Sequence, residues 1–138
     1  MTAGSLVALL NDRAMRWYVD GMNVIGTRPD GWWRDRDAAM LQLVRALENW
    51  AAAEGEDVVV VFERPARPPI RSSVIEVASA PKPKADAADD EIVRRLRDEP
   101  QPGVVRVVTS DRWLSDRAIA VGASVQGADS FRSLLDRF

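Results

Sequence analysis

The sequence predicts an α/β domain on a mostly parallel sheet, and three observations point there. Short β-rich runs alternate with longer segments of helical period. The two strongest runs, residues 58–62 and 104–108, are apolar almost throughout, as strands covered on both faces must be. A chain of 138 residues with 46% hydrophobic content can also build one compact core, whereas two would be cramped.

Residues 17–20 form the first expected strand, ending at Gly21. A loop through Asn23, Gly26, Pro29 and Gly31 follows. The next helix carries Met40, Leu43, Val44, Leu47 and Ala51 on one stripe and stops at Gly55. After the strand at 58–62, residues 64–71 hold three arginines among prolines and read as an exposed loop. A short edge strand is expected at 74–77 and a loop at 81–84. Residues 86–98 then read as a helix with Ile92, Val93 and Leu96 inward, ended by Pro100 and Pro102. The strand at 104–108 leads into Thr109, Ser110 and Asp111. A helix around Leu114, Ala118 and Val121, a brief strand at 124–126 and a terminal helix with Phe131, Leu134 and Leu135 complete the order. No internal repeat or dividing linker is present, so residues 1–138 are expected to be one domain with an extension at 1–14.

The absent residue types narrow the chemistry. Without cysteine there is no disulfide, thiolate nucleophile or cysteine zinc site. Without histidine there is no Ser-His-Asp triad or imidazole metal site. The only lysines, Lys82 and Lys84, lie in a proline-flanked loop, a poor place for a serine-lysine pair. Catalysis would have to come from carboxylates, whose oxygen donors suit a hard metal ion. The 19 basic and 21 acidic residues give a net charge of -2, so any basic surface is local. No apolar run is long enough for a bilayer, and the apolar patch at 1–10 lacks a preceding basic region and a cleavage site. A cytoplasmic location with no membrane partner is the expectation.

In an open parallel sheet, ligands bind at the carboxyl ends of strands. Asp20 closes the first strand and Asp111 follows the strand at 104–108. Each has an ordinary structural explanation, since Asp is common where strands end and Asp111 is suited to capping a helix. Asp86, Asp89 and Asp90 are spaced three and four apart at a helix start, which puts them on one side. Acids in a first turn complement the helix dipole, but Asp89 also extends the inward stripe, where a carboxylate needs a partner. Converging carboxylates repel unless a cation neutralises them. Mg²⁺ or Mn²⁺ bound there could activate water and stabilise charge on a phosphodiester, with Asn23 orienting water or phosphate.

The string from Val19 to Gly26 (VDGMNVIG), the helix start Ala88-Asp89-Asp90-Glu91-Ile92 and the segment Val108-Thr109-Ser110-Asp111-Arg112 together resemble the YacP-like NYN domain of the PIN-like nuclease superfamily. The resemblance runs from about Trp17 to the C-terminus. It implies a three-layer α/β/α sandwich, an acidic Mg²⁺ or Mn²⁺ pocket and endonucleolytic cleavage of RNA. Carried residue by residue, it makes Asp20 and Asp111 pocket acids, Asp89 and Asp90 the helix pair, and Asn23 a pocket polar group. Asp116 is a further position, read here as a solvated carboxylate. Glu63 stands where many relatives have Asp, and the arginine- and proline-rich insertion after it is a second departure.

An acidic pocket needs positive charge nearby to accept a polyanion. Arg64, Arg67, Arg71 and Arg112 are the preferred candidates. Arg28, Arg34, Arg36, Lys82 and Lys84 lie in neighbouring connections, although the run from Arg34 to Asp37 has the mixed signs of a solvated surface. Trp32 and Trp33 are suited either to stacking an unpaired base or to packing, with at least one expected buried. Trp50 reads as helix packing and Trp113 as core or rim. The leading expectation is a metal-dependent ribonuclease acting on RNA, including ribosome-associated RNA. The alternatives are a non-catalytic RNA-binding or adaptor module on the same fold and a small-nucleotide phosphohydrolase. The latter is disfavoured by the absence of a glycine-rich phosphate cradle. A response-regulator receiver is set aside because neither lysine ends a strand.

Overall fold

The structure, a computed structural model, describes residues 15–84 and 86–138. The expected N-terminal extension and the apolar patch at 1–10 fall outside these residues. Five strands form one sheet: β1 (Arg16–Asp20), β2 (Asp57–Phe62), β3 (Glu76–Ser79), β4 (Val105–Val108) and β5 (Ser124–Gln126). Their spatial order is β3-β2-β1-β4-β5, with every neighbouring pair parallel. The chain winds outward from β1 through β2 to β3, then restarts on the opposite side with β4. The strand order therefore reverses between β1 and β4, the position where an open parallel sheet leaves a crevice.

Alternation along the strands assigns the two faces. Trp17 and Val19 of β1, with Val58, Val60 and Phe62 of β2, face α1 (Gly21–Ile25), α2 (Arg36–Glu54) and α5 (Ala128–Leu135). Tyr18, Val59, Val61, Val105 and Val107 face α3 (Ala87–Arg97) and α4 (Arg112–Ala120). The result is the expected three-layer α/β/α sandwich. The α2 stripe of Met40, Leu43, Val44, Leu47 and Ala51 is buried as its spacing requires, and Trp50 joins it. Trp50 meets Trp17 and Phe131 edge to face, at centroid separations of 4.9 and 5.1 Å.

Four local readings change. The expected loop after β1 instead contains α1, whose Val24 and Ile25 are buried, and a 3₁₀ turn at Trp32–Arg34. Three apolar residues in the five-residue segment that Gly21 begins and Gly26 follows are too short a signal to show helical period. The edge strand starts later than expected, at Glu76, because the Ser72 hydroxyl accepts hydrogen bonds from the Val74 and Ile75 N–H groups, each at 3.1 Å. A turn therefore occupies the backbone that would have begun the strand. Val104 ends a 3₁₀ turn begun by Pro102, so β4 begins at Val105. Asp86 precedes α3 with φ of 64°, in the left-handed region. No described helix is long and apolar enough to cross a membrane.

Candidate active site

The carboxyl ends of β1 and β4 bring Asp20 and the segment Thr109-Ser110-Asp111 together at the reversal point. Asp20 is the last residue of β1 and is 5% exposed. The turn behind it depends on Gly21, because a Cβ there would lie 2.4 Å from the Phe62 ring. No larger residue fits without displacing that ring. This close approach lets β1 pass directly into α1, which carries Met22 and Asn23 to the same edge.

Thr109 joins the two strand ends. Its buried hydroxyl donates to Asp20 Oδ2 at 2.9 Å and accepts from the Asp111 N–H at 3.0 Å. Asp111 caps α4 by accepting the Leu114 N–H through Oδ1 at 2.9 Å. Its structural role is therefore real, but it uses one oxygen. Asn23 Oδ1 accepts the Ser110 N–H at 2.8 Å, and Ser110 Oγ in turn accepts the Ala128 N–H at 2.9 Å. This network holds α1, the end of β4 and the start of α5 in one arrangement.

The cleft is about 190 Å³ in volume and is lined by Asp20, Met22, Asn23, Glu63, Asp86, Ala88, Asp89 and Asp111. Five of these residues are acidic and none is basic. Asp89 enters from the first turn of α3 and is 8% exposed. Burial raises Asp20 to about 6, against a hydrogen bond from Thr109 that favours its charged form, and Asp111 adds to the rise. Burial also raises Asp89 to about 7, helped by the charges of Asp20, Asp111 and Asp86. Asp20 and Asp89 are close enough for each carboxyl to bear on the protonation of the other, so without a cation the two titrate as a pair.

The structure distributes the remaining candidate residues around and away from this cleft. Asp90 is turned outward and meets Lys84 at 3.6 Å, so the α3 acids divide instead of sharing one side. One helical position, about 100° of rotation, separates it from Asp89. Asp86 reaches the cleft because it precedes the helix in a left-handed conformation. Glu63 also lines the cleft, whereas Asp116 is exposed and does not. Arg64 is held by Asp37 at 3.0 Å beside Glu63. Arg67 and Arg71 line a separate groove of about 560 Å³ between α2 and the proline-rich loop. Arg112 is exposed at the start of α4. Trp32 is half-buried and Trp33 is 50% exposed, so neither is buried as expected. Trp113 is 40% exposed under the guanidinium of Arg117, so it lies at the surface and not in the core. Thr109 was visible in the sequence only as part of a motif; its hydroxyl directly after an apolar strand was the available signal.

The donor set fits a hard cation. Apart from the Met22 thioether, every side-chain donor in the cleft is a carboxylate or amide, and the carboxyls are raised first by burial and then by repulsion, both of which a cation would relieve. Among the described residues no three acidic side chains form a ready-made metal cage. Mg²⁺ is commonly held by one or two carboxylates together with waters and substrate phosphates, so an open acidic cleft is compatible with it.

A parallel sheet of this winding, with acids at its reversal point, is the architecture of PIN-like domains. The chain belongs to the YacP-like NYN domain family, whose sequence pattern it matches over residues 17–138. Rae1 (YacP) from Bacillus subtilis has a similar crystal structure, with a TM-score of 0.70 at 21% identity, covering 88% of this chain and 75% of that one. A tryptophan-to-leucine mutant of Rae1 gives a TM-score of 0.70 at 22% identity, covering 89% and 77% respectively. At this identity the likeness shows the fold. No curated protein matches the sequence. Membership of this nuclease family supports a ribonuclease-type function in general.

Proposed function

We propose that the chain is a metal-dependent endoribonuclease that hydrolyses RNA phosphodiester bonds in the cytoplasm, with Mg²⁺ or Mn²⁺ as cofactor. The observation that supports this most is the meeting of Asp20, Asp89 and Asp111, from three separate elements, in one cleft without a basic residue. Asp20 and Asp89 are the proposed metal-holding pair, with the uncapped oxygen of Asp111 and the longer carboxylate of Glu63 at the margin. A cation bound there supplies charge neutralisation at the phosphodiester and a more acidic water. Thr109 fixes the direction of Asp20, and Asn23 holds the loop that presents Asp111. Asp90 has no place in this cleft and is assigned to pairing with Lys84.

RNA, including RNA on the ribosome, is the proposed substrate and partner. Arg112, the residue after Asp111, and Arg64, Arg67 and Arg71, which follow Glu63 in the chain, are the proposed phosphate contacts. Arg64 reaches this role only by exchanging Asp37 for phosphate, whereas Arg67 and Arg71 have no ion-pair partner among the described residues. The deciding experiment incubates the purified chain with labelled RNAs, with and without Mn²⁺, beside Asp20→Asn. Internal cleavage that requires Mn²⁺ and disappears in the variant, while RNA binding persists, is the expected result. Binding without cleavage under all these conditions would favour the adaptor reading.

A further inference from the structure

A second cavity, of about 340 Å³, lies beside α1 and has a different character from the carboxylate cleft. Its functional lining is Asp30, Trp32, Asp35, Gln42 and Arg132, with Ile25 at its base. The volume falls within the range of small-molecule sites. Gly31, at φ of 85°, turns the chain between Asp30 and Trp32. Asp30 Oδ1 accepts the Trp32 N–H at 3.2 Å, and Asp35 Oδ1 accepts the Ala38 N–H at 3.1 Å. Each carboxylate thus keeps its second oxygen uncommitted among the described residues.

Arg132 enters from α5 and is half-buried. Among the described residues its guanidinium makes no ion pair, because Asp136, one turn later, is taken by Arg28. Burial, followed by the charge of Arg28, lowers its pKa from the ordinary arginine value. A half-buried guanidinium that lines one cavity with two carboxylates, each with a free oxygen, is a recognition surface that holds both signs.

That mixture selects the ligand. Two carboxylates disfavour a phosphate, the guanidinium disfavours a simple cation, and a wholly apolar group would leave all three charges unpaired. A neutral planar ring bearing adjacent donors on one edge and adjacent acceptors on another satisfies both signs. Guanine has that arrangement: N1–H and the N2 amino group suit a carboxylate, while O6 and N7 suit an arginine fork. Trp32 adds an aromatic surface for an unstacked base.

The cavity and the cleft share α1. Met22 lines the cleft and Ile25 lines the cavity, three residues and about 4.5 Å apart along α1. Resting on the ribonuclease reading, we propose that this cavity receives an unpaired guanine of the RNA strand, close to the bond held over the carboxylate cleft. The cavity would then set a base preference that the cleft, which sees the sugar-phosphate chain, cannot set.

Two measurements test this. In the first, guanosine, adenosine, cytidine and uridine are titrated into the metal-free chain while the tryptophan indole signals are followed by NMR. Guanosine is expected to perturb Trp32 selectively, with Arg132→Gln weakening its binding about tenfold or more. Asp30→Asn keeps an oxygen acceptor for the Trp32 N–H but replaces a carboxylate oxygen with a donor, and should weaken guanosine in the same way. In the second, oligonucleotides that differ by one base at successive positions are cleaved with Mn²⁺, and the guanine preference is expected to collapse toward unity in Arg132→Gln. Equal binding of all four nucleosides, or guanosine binding untouched by both variants, overturns the proposal. Selective guanosine binding without cleavage of any RNA supports the cavity and counts against the ribonuclease reading, so the two failures are distinct.

Discussion

Asp89 and Glu91 lie two residues apart on α3, and both are buried, at 8% and 5% exposed. Their charges are handled in opposite ways. Glu91 accepts hydrogen bonds from Arg94 at 2.7 Å and Arg95 at 2.8 Å, and these arginines hold it down to about 2. Asp89 has three acidic neighbours and no arginine, so burial and repulsion lift it to about 7. Arg95 also ties Glu76 of β3, which makes the Glu91 cluster a clamp between helix and sheet. The contrast teaches that burial alone does not mark a functional acid. A buried carboxylate with its cations already in the chain is structural; one whose neighbours are all acidic has been left for a cation or proton from outside.

The largest test of that contrast uses adjacent residues. Asp89→Asn should reduce Mn²⁺-dependent RNA cleavage by at least about a hundredfold, more than the ten- to hundredfold usual for groups around a metal rather than on it. Asp90→Asn removes the same charge from the same helical turn but faces Lys84, and should leave turnover close to wild type. Measured as kcat/KM on one RNA, equal losses in the two variants would mean that the charge of the helix start matters and the cleft does not.

A smaller loss is expected at Thr109. Thr109→Val keeps shape but removes the donor to Asp20 and the acceptor of the Asp111 N–H. Cleavage should fall roughly ten- to hundredfold. The carboxylate form of Asp20 also loses a stabilising bond, so the acidic limb of the pH–rate profile should move to higher pH. Thr109→Ser restores the hydroxyl and should recover most of both effects. A valine variant that loses stability alone, with its pH profile in place, would make Thr109 a packing residue.

The sheet and its acids were legible in sequence for a physical reason. Continuous apolar runs such as 58–62 carry their own burial signal; Asp20 directly follows such a run, and Asp111 stands three residues past the end of another. Asp89 was legible because it continues the stripe of Ile92, Val93 and Leu96, all of which are buried. Helical spacing could not separate Asp86 from Asp90, because the left-handed backbone at Asp86 lies outside the helix whose period was being read. Nor could it show that Asp37 would claim Arg64, or that Asp136 would claim Arg28 and leave Arg132 alone. Those pairings join residues 27 and 108 positions apart, and only the tertiary fold selects among so many charges.

The smallest effects concern stability, and here the two α3 acids should differ in sign. Glu91 has a depressed pKa, so its stabilisation is present above the unfolded value of 4.5 and is lost as pH falls toward about 2. Glu91→Gln should therefore cost about 1–2 kcal/mol at neutral pH, a value discounted because Arg94 remains open to solvent. Asp20 and Asp89 have raised values, about 6 and about 7 against 3.8 when unfolded, so their contribution is complete below 3.8 and fades as pH rises through the folded values. In chelator, thermal stability should decline across that upper window, and Asp89→Asn should flatten the decline. Added Mn²⁺ should restore the loss most strongly at the alkaline end, where both carboxyls are ionised. Thermal melts of the wild type and both variants, with chelator or Mn²⁺, separate these opposite slopes; a stability curve that rises through the upper window would show that the Asp20–Asp89 pair already has an internal counter-charge.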